Sequence, residues 1–495
     1  MILSRRDCRA LVVLPALAAV IVSGCRVGPA YKRPDLAPPA AYRGAAASAV
    51  AESLADVPWW QVFDDPALQG LIRDAIGSNP DLRLAVARVS EARALAGVAR
   101  SFLYPDVNLN AGYTANQASR NAQPRGALPQ GDRTYNNTAV TADMAWEIDL
   151  FGRLRSESDA AFNRYLATEE GRRAVLVTLV ADVASSYFLL RELDLQLEVA
   201  QRTLDLNNQT VTYYSDRLQG GVSNRLEVDQ ARANRALTAA SIPEIERQIA
   251  IIEHAISILA GRAPGAITRG TTLTESELPP AVPVGVPAAL LERRPDVLEA
   301  ERLLIAANAD IGAAKALFYP RISLTGSLGN VSGDLADFLK GDSIVWSLGA
   351  GLFQPLFNAG RIRRNLEAAE ARFEQAIAIY QRSALNAYRE VSDSLVTIEK
   401  LALIRVEQET GVAALRDASE LSRLRYETGL SSYLEVLIAD QQLFQLELQL
   451  ANTRGEQLRV IAQLYRALGG GWQPEQQPPV PGQPAPPPPN APASP

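Results

Sequence analysis

The apolar positions change their period between Arg294 and Gly329. From Val297 to Ile311 there is no Gly or Pro, and Ala, Leu and Glu dominate, which predicts a helix. Past Tyr319-Pro320, Ile322, Leu324, Gly326 and Leu328 alternate with Arg321, Ser323, Thr325 and Ser327, which predicts a strand with one apolar face. Pro320 marks the junction, because it cannot continue the helix and biases its predecessor towards extended geometry. The same pattern runs from Asn79 to Thr114. A gap-free shift of 215 superimposes Pro80, Asp81, Ala85, Ala92, Ala94, Gly97, Ala99, Tyr104, Pro105 and Leu109 on identical residues. The chain is an internal duplication in which a long helix feeds a strand twice.

The remaining elements follow from the same periods. A helix starts near Asp65-Pro66 and runs to about Ser101, and residues 102–114 form the first strand. In the second strand Val140, Ala142, Met144, Trp146, Ile148 and Leu150 alternate with Thr141, Asp143, Ala145, Glu147 and Asp149. Six apolar positions opposite three acids suit lipid on one side and water on the other. A helical region from Arg153 to about Leu218 contains no Pro and only Gly171, and Leu176, Val180, Val183, Tyr187, Leu190, Leu197 and Leu204 keep a 3-4 spacing. At 1.5 Å per residue it would be roughly 100 Å long. Gly220-Gly221 ends it, and a second helix returns to about Leu259. The second half repeats the plan: helix 289–317, strands 320–329 and 344–353, helix 361–427, a turn near Gly429 and helix 431–468. The expected divisions are a leader at 1–24, an extended N-terminal tether at 25–58, a first repeat at 59–260, a linker at 261–288, a second repeat at 289–472 and a Pro-rich tail at 473–495.

Composition narrows the function. The 49 basic and 55 acidic residues include no basic block, so no nucleic-acid partner is expected. Arg5, Arg6 and Arg9 precede an apolar run from Ala10 to Val22, too short for a stable membrane anchor, which ends in Val22-Ser23-Gly24-Cys25. That reads as an export signal with a lipobox; an ordinary signal peptide with an incidental Cys is the alternative. Cys8 leaves with the leader, so Cys25 has no disulfide partner and is the expected lipidation site. The expected covalent group is diacylglycerol and palmitate on Cys25, with no other cofactor. Arg26 in place of an Asp favours the outer membrane. His254 is the only histidine, and Met144 is the only mature methionine. No metal constellation, catalytic triad or phosphate loop can be assembled, so no enzyme is expected.

Four strands cannot sit in lipid with open edges, because each unpaired backbone group would cost several kcal/mol. Eight strands make about the smallest barrel, so other chains must close the sheet. The duplicated plan, WWQVFDDPALQGLI at 59–72, RPDVLEAE at 294–301 and LYRALGGGW at 464–472 resemble the outer-membrane factor family, the TolC/OprM proteins, in its NodT-type lipoprotein branch. The resemblance covers nearly all of residues 57–472. It implies an α+β membrane protein: a homotrimeric 12-stranded transmembrane β-barrel, four strands per chain, continued by a long periplasmic α-helical barrel with an equatorial domain. It further implies a lipid-anchored exit duct of the cell outer membrane, serving a periplasmic adaptor and an inner-membrane RND pump that exports drugs or other small molecules. A type I protein secretion duct of the same fold and a structural coiled-coil lipoprotein are the alternatives.

The candidate sites follow from the pattern and the resemblance together. Asp143, Glu147 and Asp149 are expected to face the barrel lumen; alternatively they are only the wet side of a strand. The turns RLQGGVSNRLEV at 217–228 and RYETGLSSYLEV at 425–436 align at a shift of 208. Their glycines suit helix C-caps. The resemblance implies that Gly220, Gly221, Val222, Ser223, Thr428, Gly429, Leu430 and Ser431 form the periplasmic tip, where the channel closes and the adaptor docks. Glu227, Tyr426 and Glu435 are then gate candidates, with a Tyr hydroxyl on one helix donating to a Glu on the next. Ser431 stands where the TolC version has an arginine, so that part of its network is absent or rewired. Solvation of all three side chains is the alternative.

Overall fold

The structure is a computed structural model and describes residues 26–39, 41–43, 62, 65–117, 134–275 and 287–470. The leader, Cys25, Trp59-Trp60 and the Pro-rich tail lie outside the described residues. In chain order these residues form α1 (Pro66–Ser78), α2 (Pro80–Ser101), β1 (Asp106–Gln117), β2 (Thr134–Ile148), α3 (Arg153–Gln219), α4 (Arg225–Leu259), α5 (Pro287–Arg293), α6 (Pro295–Ala316), β3 (Arg321–Ser332), β4 (Ile344–Phe353), α7 (Arg361–Glu427) and α8 (Tyr433–Ala467). Two short 3₁₀ turns, Leu335–Asp337 and Gly341–Ser343, lie between β3 and β4.

Two expected helices are each broken in two. The first, from Asp65 to Ser101, stops at Asn79, whose backbone is extended (φ −61°, ψ 126°) ahead of Pro80. The second breaks at Arg294, ahead of Pro295. The duplication survives at these breaks with different side chains. Asn79 accepts from the Leu82 N–H (2.9 Å) and donates to the Leu259 carbonyl (2.9 Å), while the Arg294 guanidinium donates to the Ala467 carbonyl (3.1 Å). Leu259 and Ala467 are the last residues of α4 and α8, so both repeats tie the end of their last helix to the break between their first two. Gly261 (φ +69°) and Gly469 (φ +76°) follow those ends, and a Cβ on Gly261 would lie 2.3 Å from the Ser78 carbonyl oxygen. That closeness and the left-handed backbone both require glycine.

The chain divides into two compact units, one of residues 26–35, 88–168 and 299–380, the other of residues 36–87, 169–298 and 381–470, with α2, α3, α6 and α7 contributing to both. The first unit holds an antiparallel sheet in the order β1-β2-β3-β4. Its register sets Val107 opposite Met144, Met144 opposite Gly326, and Gly326 opposite Leu348; on the other face it aligns Asn108, Asp143, Ser327 and Ser347. All four strands therefore present one apolar face and one polar face. The apolar side chains are open within a single chain: Leu109, Trp346 and Leu348 are each 75 % exposed. Among the described residues no strand lies beside the outer edges of β1 and β4.

Residues 26–39 run without helix or strand, as an extended tether should, but they are tied down. Arg26 pairs with Asp159 (2.7 Å), Arg33 pairs with Glu301 (2.8 Å) and donates to the Tyr380 hydroxyl (3.1 Å), and Asn308 donates to the Pro29 carbonyl (3.0 Å). Gly28 passes so close to Gly312 that a Cβ would lie 2.8 Å from its Cα.

In the second unit the core is built from Leu68, Ile72, Tyr187, Leu190, Ile256, Leu464 and Tyr465, each 2 % exposed or less. Asp65 caps α1 through Ala67 N–H (2.8 Å) and also accepts from the Tyr187 hydroxyl (2.8 Å) and Thr271 N–H (3.1 Å). Part of α3 is long and apolar enough to cross a membrane by composition alone, but 56 % of that window is buried, so its apolar residues are spent on packing.

Candidate functional site: the polar sheet face and the helical turns

The three acids expected on one strand face have three different situations. Asp143 sits in β2 on the polar face, accepting from Asn110 (2.6 Å) and Thr141 (3.0 Å). Glu147 shares that face but is held by a two-pronged ion pair with Arg153, at 2.8 and 3.0 Å. Asp149 corrects the sequence expectation. It lies one residue past the end of β2, and its carboxylate accepts from the N–H groups of Leu154 (3.1 Å) and Arg155 (2.8 Å). An acid that satisfies the first free N–H groups of α3 and complements its dipole is a helix cap and no part of the strand face.

The two turns share one geometry. Gly221 (φ +72°) donates to Leu218 and Val222 to Arg217; Gly429 (φ +76°) donates to Tyr426 and Leu430 to Arg425. Both are the paired C-terminal bonds that a left-handed glycine permits. Val222 and Leu430 are 65 % and 72 % exposed, so each turn carries an apolar tip into solvent.

Behind the turns lies a cluster that the sequence reading missed. Tyr214 of α3 is buried against Tyr433 of α8, with ring centroids 4.4 Å apart, and against Tyr426 of α7 at 5.4 Å. Val228, Ala231 and Val436 complete the packing. The Ser223 hydroxyl donates to the Glu227 carboxylate, whose charge also acts on the Tyr426 hydroxyl. The Arg217 guanidinium lies over the Tyr426 ring, 5.7 Å from its centroid. Burial pushes the Tyr214 hydroxyl well above its ordinary range; it raises Tyr426 as well, helped by the Glu227 charge, and takes Tyr433 up to about 12. All three therefore stay neutral donors at physiological pH. Four tyrosines within a few residues of two turns, in a chain only 6 % aromatic, was the signal that could have revealed the cluster.

The structure thus brings Tyr426 and Glu227 together within one chain, where the expectation had a ring of helices. Glu435, its counterpart by repeat, is exposed and pairs loosely with Arg425, at 3.8 Å. His254 is exposed on α4.

This geometry, a half-lipid, half-aqueous sheet with open edges and long helical hairpins ending in glycine turns, has known counterparts. The family model described as "Outer membrane efflux protein" matches residues 71–262 and 286–470. This chain belongs to the outer membrane efflux protein family. It is 36 % identical over 468 residues to the solvent efflux pump outer membrane protein SrpC of Pseudomonas putida, covering 93 % of this chain and 98 % of SrpC. It is 34 % identical over 465 residues to the cation efflux system protein CusC of Escherichia coli, covering 93 % and 99 %. The solved structure of the outer-membrane channel OprN superimposes with a TM-score of 0.84 at 31 % identity, over 90 % of this chain and all of that one. The fold class is that of the family, a trimeric twelve-stranded transmembrane β-barrel, four strands per chain, with a periplasmic α-helical barrel. The protein is an outer-membrane exit channel of a tripartite efflux system.

Proposed function

We propose that the channel passes drugs or other small molecules delivered by an inner-membrane RND pump through a periplasmic adaptor. The observation that carries this reading is the shared register of the four strands. It aligns most of the large apolar residues on one face and most of the hydroxyls, amides and acids on the other, so the closed barrel has lipid outside and water inside. Relatives named for solvent, toluene and cation efflux support a small cargo over a secreted protein. With one His, two Met and two Cys in the whole chain, soft-metal ligands are scarce, which favours organic cargo over a cation.

In this reading Cys25 carries the acyl chains, and the docked segment from Arg26 to Arg33 holds that anchor to the first unit. The turns at Gly220–Ser223 and Thr428–Ser431 form the periplasmic tip, where the adaptor docks, and the tyrosine cluster behind them holds the tip closed. Asp143 lines the lumen with a ring of three carboxylates. Crosslinking cells and purifying this protein should recover a trimer together with one adaptor and one pump of the RND type. Recovery with the pump of a protein secretion system would overturn the cargo assignment.

A further inference from the structure

The chain carries the same two strand–helix junctions twice, at two different offsets. Tyr104-Pro105 ahead of β1 becomes Tyr319-Pro320 ahead of β3 at an offset of 215. The end of β2 maps onto the end of β4 at an offset of 208: Arg153 and Arg361 open α3 and α7, each behind a left-handed glycine, Gly152 (φ +76°) and Gly360 (φ +82°). Trp146 donates to the Leu103 carbonyl (3.0 Å), and its counterpart Gln354 donates to the Phe318 carbonyl (3.1 Å). Together the two offsets convert the β1–β2 register into the β3–β4 register. Asp106 opposite Ala145 becomes Arg321 opposite Phe353, and Leu109 opposite Ala142 becomes Leu324 opposite Ala350, both as observed.

Among the described residues the β2–β3 interface has no second example within one chain. Its counterpart would pair β4 with β1, and these are the two outer strands of the sheet. We propose that the trimeric barrel closes there in the register that the duplication dictates, and that the seam between copies carries an aromatic contact. Met144 opposite Gly326 becomes Leu352 opposite Ala111 of the next copy, Asp143 opposite Ser327 becomes Gly351 opposite Gly112, and Ile148 opposite Ile322 becomes Leu356 opposite Val107. Apolar faces then continue across the seam. A slip of one residue would turn the apolar face of β1 into the lumen. The seam rests on the trimeric barrel of the family and not on the cargo.

The helical rim of the seam is incomplete in a single chain. Leu356 and Phe357 are the most exposed large apolar side chains among the described residues, at 94 % and 90 %, and Tyr104 is 59 % exposed. Inside the chain the equivalent place is filled: Phe151, just past β2, stacks on Tyr319, just ahead of β3, with ring centroids 4.7 Å apart. At the seam the counterpart of Phe151 is Ala359, which has no ring to set on Tyr104. The Leu-Phe pair of 150–151 recurs two residues early, at 356–357, so Phe357 becomes the diagonal neighbour of Tyr104. Diagonal neighbours on one face stand about 7–8 Å apart, within reach of aromatic side chains. The ring that repeat one supplies from the turn is supplied in repeat two from the strand end, to the next copy.

Disulfide trapping in outer membranes tests the register. Directly opposed Cα atoms stand about 4.5–5.5 Å apart, inside the range for a disulfide, and a slip of two residues takes them to about 7 Å or more. The designed pairs are Leu352→Cys with Ala111→Cys and, on the other face, Gly351→Cys with Gly112→Cys. Leu352→Cys with Leu109→Cys or with Tyr113→Cys are the two-residue slips that keep the faces. The strands lie at opposite edges of one sheet, so each disulfide joins two copies. The better designed pair should give at least fivefold more covalent trimer on a non-reducing gel than either slipped pair. A slipped pair that links as well, no link in any pair at normal trimer levels, or failure of both designed pairs to assemble would overturn the register. Phe357→Ala and Tyr104→Ala should each lower the temperature at which the trimer dissociates in detergent, and the double variant should lower it no further than the larger single effect. Additive losses, or no loss from Phe357→Ala, would overturn the ring contact. An unsubstituted protein that is monomeric in mild detergent would instead refute the trimer on which the seam depends.

Discussion

Replacing Tyr214 by alanine should open the tip. The ring is 3 % exposed and bridges the two hairpins through Tyr433 at 4.4 Å and Tyr426 at 5.4 Å. Each aromatic pair is worth about 0.5–1.5 kcal/mol beyond its buried area, so the two pairs supply about 1–3 kcal/mol per chain. Three copies acting together supply about 3–9 kcal/mol, and about 5.5 kcal/mol suffices to turn a 1:99 equilibrium into 99:1. Purified trimer in planar bilayers should therefore show a several-fold higher mean conductance in Tyr214→Ala. Tyr214→Phe keeps both ring contacts and loses only the hydroxyl, so it should stay close to the wild type. Trimer yield must be compared first, because a buried aromatic truncated to alanine also costs about 3–5 kcal/mol of folding stability. Wild-type conductance from a normally assembled Tyr214→Ala trimer would refute the cluster as the element that holds the tip closed.

Arg294→Ala should cost about 3–5 kcal/mol, because it leaves Glu390 without its partner at 2.8 Å and the Ala467 carbonyl without its donor; Arg294→Lys should recover less than half, since an ammonium cannot fork onto Asp296. Thermal unfolding of the trimer measures both. Cys25→Ser should abolish incorporation of labelled palmitate while leaving part of the protein inserted, because barrel closure buries lipid-facing strands independently of acyl chains. Burial alone would raise the Glu253 carboxyl, but the Ile267 N–H and the Arg269 guanidinium outweigh it and hold it below its ordinary range. Its contribution to stability is therefore present above the ordinary carboxylate range and lost as pH falls through the depressed value, so Glu253→Gln should flatten the acid limb of a stability–pH curve.

What the sequence determined is what depends on period and on local chemistry. The strand faces, the long helices, the glycine turns and the duplication were legible because alternation, 3-4 spacing and left-handed glycines act over a few residues. The helix breaks at Asn79 and Arg294 were in reach through the prolines that follow them; the long apolar runs on either side concealed them. What only the tertiary structure decided is which distant polar groups meet. Asp149 looks like one more alternating strand residue until the N–H groups of α3 are seen above it. Glu227 and Glu435 match by repeat, yet one lies beside the tyrosine cluster, its charge acting on Tyr426, and the other is exposed, because no tyrosine occupies the place in the first repeat that Tyr426 holds in the second. The tyrosine cluster is assembled from α3, α4, α7 and α8, segments some two hundred residues apart in the chain. Spacing along one helix determines which face a residue is on; only the packing of four helices determines what that face touches.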